Sequence, residues 1–241
     1  MAYNTIPLEN ILFLDIETVP CQSGFDQLDD DMQKLWDKKS QTFRSDNETA
    51  DDVYQRAGIY AEFGRIVCIS VGFIRIENGV KRFYSKSFAD DDEKKLLEGF
   101  INLVNLRYST PDKFICGHNV KEFDMPFIAR RIIINGLPLP MVLNIAGKKP
   151  WEVNFLDTME LWKFGDYKAF TSLNLLTHVF GIPTPKDDID GSQVYQVYYG
   201  EHDLKRISIY CEKDILATAQ VFLKMRGETL INQENDVIHR D

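Results

Sequence analysis

Residues 66–75 are dense in β-branched side chains and lead through Glu77-Asn78-Gly79 into a second extended stretch over residues 80–85. Asn-Gly is the dipeptide that best tolerates the positive φ angles of a tight hairpin, so this segment predicts two antiparallel strands. Three further apolar runs are short enough to be buried strands: Ile11 to Leu14, ending in Asp15; Phe114 to Cys116; and Phe155-Leu156, ending in Asp157. Helical spacing separates them. Leu96, Leu97, Phe100, Leu103 and Val104 share one side of residues 90–107, behind an acidic first turn. A helix is expected from an Asn119 N-cap to about residue 135, closed by Gly136 and Pro138. Shorter helices are expected near 158–164 and 172–180, and a long one from Asp203 to Met225. This order predicts an α/β chain with one mixed five-stranded sheet flanked by helices. Residues 18–64, polar and only weakly periodic around Met32–Phe43 and Val53–Ala61, read as a helical or irregular insertion after the first strand. The expected division is one domain over 1–226 with a polar tail over 227–241.

Composition narrows the function classes. The chain has 241 residues, 44% hydrophobic and 27% charged, which suits one packed core and excludes wholesale disorder. Its longest apolar run, residues 66–74, is too short to span a bilayer, and residues 1–5 lack the pattern of a signal peptide. Cys21, Cys68, Cys116 and Cys211 form no C-x-x-C pair, so the expectation is a reduced, cytoplasmic protein without a disulfide or zinc framework. Cys68 and Cys116 lie in apolar runs and read as small buried hydrophobes. The net charge of −9 argues against a strongly basic nucleic-acid face. Acids gathered around a cation would offset part of that excess, leaving modest, salt-sensitive affinity.

Three groups of residues carry chemistry. Asp15-Ile16-Glu17 places two carboxylates on one side of a strand end. Like charges held that close are costly unless a cation shares them. Alone, the tripeptide reads more simply as two solvated acids. Asp124, after Gly117-His118-Asn119-Val120-Lys121-Glu122-Phe123, falls in or near a helix's first turn, where complementing the helix dipole is an equal explanation. Tyr210 and Asp214, four apart, share a helix face, and the plain alternative is a core Tyr beside a surface Asp. Together, in the order strand, helix start and late helix, the four acids form a specific pattern.

That pattern resembles the DEDD (DnaQ-like) 3′→5′ exonucleases of the ribonuclease H-like fold, in their tyrosine-bearing subgroup. Within it the chain is most similar to the proofreading domain of family-B DNA polymerases. The similarity runs from residue 11 to about 225, apart from 18–64. It includes Arg65-Ile66-Val67-Cys68-Ile69-Ser70, Asn119 to Asp124, Leu156-Asp157-Thr158 and Asp190-Gly191-Ser192. The histidine branch would carry His where Ile209 stands, whereas Tyr210 sits four residues before Asp214. No polymerase palm or fingers follow, so the chain reads as the editing module standing alone.

The resemblance implies that Asp15, Glu17 and Asp214 bind one metal ion and Asp15 bridges to a second, supported by Asp124. Hard oxygen ligands and a phosphate substrate suit Mg²⁺ or Mn²⁺. Two such ions about 3.5–4 Å apart activate water and stabilise the leaving 3′ oxygen. Tyr210 would orient the water. Asn119 and Phe123 are candidates for the terminal-nucleotide pocket, with Phe123 as plain core equally compatible. The expected partner is nucleic acid, single-stranded DNA favoured and RNA not distinguished; oligomeric state is left open. The competing readings are a catalytically silent binding or docking module, and an internally cutting nuclease. Asp157 reads as an N-cap rather than a fifth ligand. Residues 186–191 are not a calcium loop, since Lys186 would hold its first ligand position and Val197 its twelfth. Arg130-Arg131, Lys148-Lys149 with Trp151, and Lys205-Arg206 read as solvated surface before phosphate contacts, the 148–151 loop being the best of them.

Overall fold

The computed structural model describes residues 3–149, 152–166, 168–183 and 189–240. Trp151 and Lys186-Asp187-Asp188, weighed above, lie outside the described residues. The strands are β1 (Ile11–Pro20), β2 (Gly64–Glu77), β3 (Val80–Ala89), β4 (Phe114–Gly117), β5 (Phe155–Asp157) and β6 (Val237–His239). They form one mixed sheet in the order β5-β4-β1-β2-β3-β6. β1–β2 and β2–β3 run antiparallel, while β4 on β1, β5 on β4 and β6 on β3 run parallel. The five expected strands are thus joined by a sixth, drawn from the segment read as a polar tail.

The hairpin forms as its turn dipeptide requires. Asn78 and Gly79 take φ of 53° and 80°, and the two strands pair from Glu77–Val80 to Cys68–Ala89. Helix α1 (Asp30–Ser40) lies in the insertion, α2 (Glu93–Arg107) follows the hairpin, and α3 (Asp124–Ile134) follows β4. The helices α4 (Thr158–Lys163), α5 (Leu173–Val179), α6 (Val194–Tyr199) and α7 (Leu204–Met225) complete the described elements. Alternation along β1 sorts the core into two layers. Leu12, Leu14 and Ile16 pack with α2 and α3 residues such as Phe100 and Ile128. Ile11 and Phe13 pack on the other face against Ile215, Ala219 and Phe222 of α7.

The insertion carries its own small core around Trp36, which is fully buried against Tyr54 and Phe63 and donates its indole N–H to the Ala50 carbonyl at 2.8 Å. Tyr199 of α6 anchors its start by donating to the Pro20 carbonyl at 2.6 Å.

Two expectations are corrected. β1 does not end at Asp15 but continues to Pro20, with a bulge between Glu17 and Thr18. Asn119 is not an N-cap: it adopts φ 67°, its carbonyl closes a turn with the amides of Glu122 and Phe123, and α3 starts only at Asp124. Pro126 supplies the reason. A helix capped at Asn119 would bury this residue in its interior, where the missing N–H breaks the ladder, whereas a start at Asp124 leaves it in the tolerant first turn.

Candidate active site

β1 carries Asp15 and Glu17 in mid-strand, opposite Ser70 and Cys68 of β2. Being two apart, both side chains share the face on which α7 packs. Glu17 is buried and Asp15 half-buried. On α7, Cys211 meets this pair from above, its thiol 3.5 Å from both the Asp15 carbonyl and Asp15 Oδ2. Ligand atoms of Asp15, Glu17 and Cys211 lie within 4.8 Å of one another. Asp214, one turn further along α7, accepts a hydrogen bond from the Tyr210 hydroxyl, as their i, i+4 spacing allows.

Asp124 arrives from the other side. β4 pairs with β1 only over Ile11–Phe13, so the edge of β1 beyond that point has no strand partner among the described residues. There the Ile16 amide donates to Asp124 Oδ1 at 3.2 Å. The turn delivering Asp124 is tightly held. Asp157 caps α4 by accepting from the amides of Met159 and Glu160, and also accepts from the amides of Asn119 and Lys121 at 3.0 and 3.1 Å. Its expected N-cap role is therefore present, and it braces the Asp124 turn as well. Gly117 opens that turn, where an added Cβ would stand 2.6 Å from Val120 Cβ and 2.9 Å from the Leu14 carbonyl oxygen.

The electrostatics follow from this crowding. Burial first, then the charges of Asp124 and Asp214, push the Asp15 carboxyl well above the usual carboxylate range. Burial likewise raises Glu17, followed by the charges of Asp15 and Asp214. Burial pushes Asp124 up to about 7, against the stabilising pull of backbone hydrogen bonds, including that from Ile16. The Tyr210 hydroxyl is driven above its ordinary value by burial and by the neighbouring Asp214 and Glu17 charges. Asp15 and Glu17 therefore feel the charges of Asp124 and Asp214, and Tyr210 those of Asp214, Glu17 and Asp15.

Sequence reasoning missed the two thiols here. Cys211 stands beside Asp15, and Cys68, set aside as a small hydrophobe, hydrogen bonds with Cys211 and sits opposite Glu17. The available signal was position: Cys211 is next to Tyr210 and three residues before Asp214, hence on the same side of the helix. Asn119 and Phe123 lie on the turn before α3. The Phe123 ring packs on Phe127 at 5.6 Å and joins the α2–α3 core layer, so it serves packing whatever else it does. Among the basic clusters, Arg131 is not surface at all. It is buried, donating to both oxygens of Glu93 at 2.9 and 2.5 Å and to the Ala61 carbonyl at 2.9 Å. Lys205 and Arg206, with Lys213, line a cavity of about 330 Å³ that includes Tyr210.

Carboxylates with raised pKa values, held close by a strand, a helix start and a second helix, fit divalent cations. The donors are hard oxygens apart from the Cys211 sulfur, and each gains by sharing a positive charge. A six-stranded mixed sheet flanked by helices, with acids from β1, α3 and α7 converging on one face, defines a ribonuclease H-like exonuclease fold. The chain belongs to the family of predicted 3′-5′ exonucleases related to the exonuclease domain of PolB, whose model matches residues 59–236, about three quarters of the sequence. The matched segment contains Asp124, Tyr210 and Asp214 and leaves Asp15 and Glu17 outside. No curated protein matches the chain. Among the described residues no helix is long and apolar enough to cross a membrane.

Proposed function

We propose that this chain is a 3′→5′ exonuclease of the tyrosine-bearing DEDD subgroup, removing nucleotides from the 3′ end of single-stranded nucleic acid. DNA is favoured, because the family is described by its relation to a DNA polymerase's exonuclease domain. The observation that carries the reading is the convergence of Asp15, Glu17, Asp124 and Asp214, with pKa values raised at the first three by burial and, at Asp15 and Glu17, also by the charges of their acidic neighbours. Perturbation of this kind is characteristic of sites built for chemistry.

Asp15, Glu17, Asp124 and Asp214 would hold two divalent cations, Mg²⁺ or Mn²⁺. Such ions supply Lewis-acid activation of water and stabilisation of the charge on the departing oxygen. The protein's own groups do the rest. Tyr210, hydrogen bonded to Asp214 and held protonated, is suited to orienting the attacking water rather than taking its proton. Lys205, Arg206 and Lys213, around the cavity beside Tyr210, are placed to meet substrate phosphates. Asn119 and Phe123 remain candidates for the terminal nucleotide. The working unit runs past the expected boundary at residue 226 to include β6, in a reducing compartment such as the cytoplasm, where the free Cys68 and Cys211 thiols beside the site stay reduced.

The test is a chain-shortening assay on 5′-labelled single-stranded DNA and matching RNA with Mg²⁺, Mn²⁺ or EDTA. A ladder receding from the 3′ end, absent with EDTA and with Asp15→Ala, is expected. Release of internal fragments, or undiminished cleavage by Asp15→Ala, would overturn the reading.

A further inference from the structure

A cavity of about 630 Å³ opens on the sheet face turned away from the carboxylates. Ser70, opposite Asp15, and Phe73 are three residues apart on β2 and so point to opposite faces. Phe73 and its cross-strand partner Tyr84 lie at the cavity, their rings stacked at 5.3 Å and 14°. The Arg75 guanidinium lies 5.4 Å from the Phe73 ring centre and 5.7 Å from that of Tyr84, and Arg240 lies 4.6 Å from Tyr84. Lys86, Arg107 and Lys113, from β3, the end of α2 and the segment before β4, extend the lining.

The cavity inverts the charge of the molecule. Five of its lining residues are basic and two, Glu9 and Glu77, are acidic, in a chain of net charge −9. Glu77 is itself engaged, accepting from the Tyr84 hydroxyl at 2.7 Å. Gathering cations on aromatic rings is costly without an anion to share, and it matches a ligand offering both negative charge and flat rings. Cations contributed by five separate segments of the chain exceed what one phosphate needs and suit a run of phosphates. The half-buried Phe73 ring and the exposed Arg75 and Arg240 guanidiniums suit unpaired bases, which a duplex keeps stacked inside itself. The volume lies within the range of about 300–1,000 Å³ typical of ligand sites.

We infer that this groove is a second, non-catalytic binding site for single-stranded nucleic acid, separate from the carboxylates. The choice of nucleic acid as ligand rests in part on the exonuclease reading; the location of the groove does not. It accounts for how an acidic protein retains a polyanionic strand.

The experiment is fluorescence anisotropy with a labelled 12-nucleotide oligothymidylate in EDTA. Without cations the carboxylate site repels phosphate, and the variants below separate binding in the groove from binding at Lys205, Arg206 and Lys213. Arg75→Ala/Arg107→Ala is expected to bind at least tenfold more weakly. Its salt dependence should be shallower by about 1.4 in log–log slope, as two lost phosphate contacts on a single strand require. Phe73→Leu, which keeps apolar bulk but removes the ring, should bind about fivefold or more weakly. Thermal unfolding of each variant establishes that it is folded. Parental affinity and salt slope in the folded double variant would overturn the inference, as would equal affinity for a duplex of the same length. A mononucleotide displacing the strand at equal concentration would overturn the commitment to a strand. The two readings fail separately: loss of chain shortening with groove binding intact counts against the exonuclease alone, and the reverse counts against the groove alone.

Discussion

The Ile16 amide, which lies between the two β1 carboxylates, donates to Asp124 Oδ1 at 3.2 Å, beyond the point where β4 stops pairing with β1. One carboxylate thereby closes a stretch of strand edge that no described strand pairs and approaches the acids that strand carries. Structure and candidate chemistry meet in a single side chain.

Asp124→Asn and Asp124→Ala should separate the two roles. Asn keeps an acceptor for Ile16 and removes the charge, whereas Ala leaves a buried amide unsatisfied, costing about 1–3 kcal/mol. Urea denaturation in EDTA at pH 8 should find Asn at least as stable as the parent and Ala less stable than Asn. Both variants should lose most hydrolysis. Equal stability of the two would mean that the Ile16 bond contributes nothing.

Metal-free stability should fall as pH rises through the neutral range. Asp15 and Glu17 are raised well above their ordinary values, and Asp124 reaches about 7. For a group whose folded pKa is raised, the stabilising contribution is complete below the unfolded pKa and is lost as pH climbs through the folded one. For Asp124 that window runs from about pH 4 to about 7, at about 1.4 kcal/mol per pH unit. Thermal unfolding in EDTA should give a lower midpoint at pH 8 than at pH 5.5, and Mg²⁺ at pH 8 should restore it. A flat profile would contradict the close packing of these acids.

Tyr210→Phe should lower kcat by roughly a hundred- to a thousandfold, the range of a single positioned hydrogen-bonding group, with little change in KM. Because Asp214 and burial hold the hydroxyl protonated, the parent's pH–rate profile should show no limb attributable to Tyr210 below pH 9. Full activity in the Phe variant would remove Tyr210 from the mechanism.

Glu93→Ala should be among the most destabilising single changes. Glu93 accepts from Arg131, from the Ile66 amide at 2.7 Å and from the Asn135 side chain at 2.9 Å, and both Glu93 and Arg131 are buried. Removing one partner of such a pair costs about 3–5 kcal/mol, chiefly by stranding the other charge. Urea denaturation should register that loss, and a value under about 1 kcal/mol would mean that water reaches Arg131.

The legible parts were those fixed by local rules. Asn78-Gly79 determines its turn whatever surrounds it, and period-2 spacing forces Asp15 and Glu17 onto one face once β1 is a strand. Residues 204–225 form a helix because their apolar side recurs on schedule. The Asn119 reading failed because a capping residue type was weighed without Pro126, which sits seven positions later and forbids the longer helix. The length of β1 was not legible because its continuation past Asp15 depends on β2, whose partner residues lie about fifty positions away. Cys68 and Cys211 gave no sequence signal as a pair, since what joins them is the packing of α7 across β2. The Phe73–Tyr84 groove was hidden for a similar reason: its cations come from segments spread between residues 75 and 240.

β6 has a consequence for anyone who shortens this chain. It pairs with β3 over Phe83–Ser85, and flanking bonds from the Phe83 amide to the Asp236 carbonyl and from the Arg240 amide to the Ser85 carbonyl extend the cover. Cutting after residue 226, where the long helix ends and the remainder looks dispensable, would bare the outer edge of a ten-residue strand. Unprotected edges of that length recruit other strands, so the trimmed protein would precipitate or self-associate while its carboxylate cluster remained whole. Its insolubility would then be mistaken for a defect of the site.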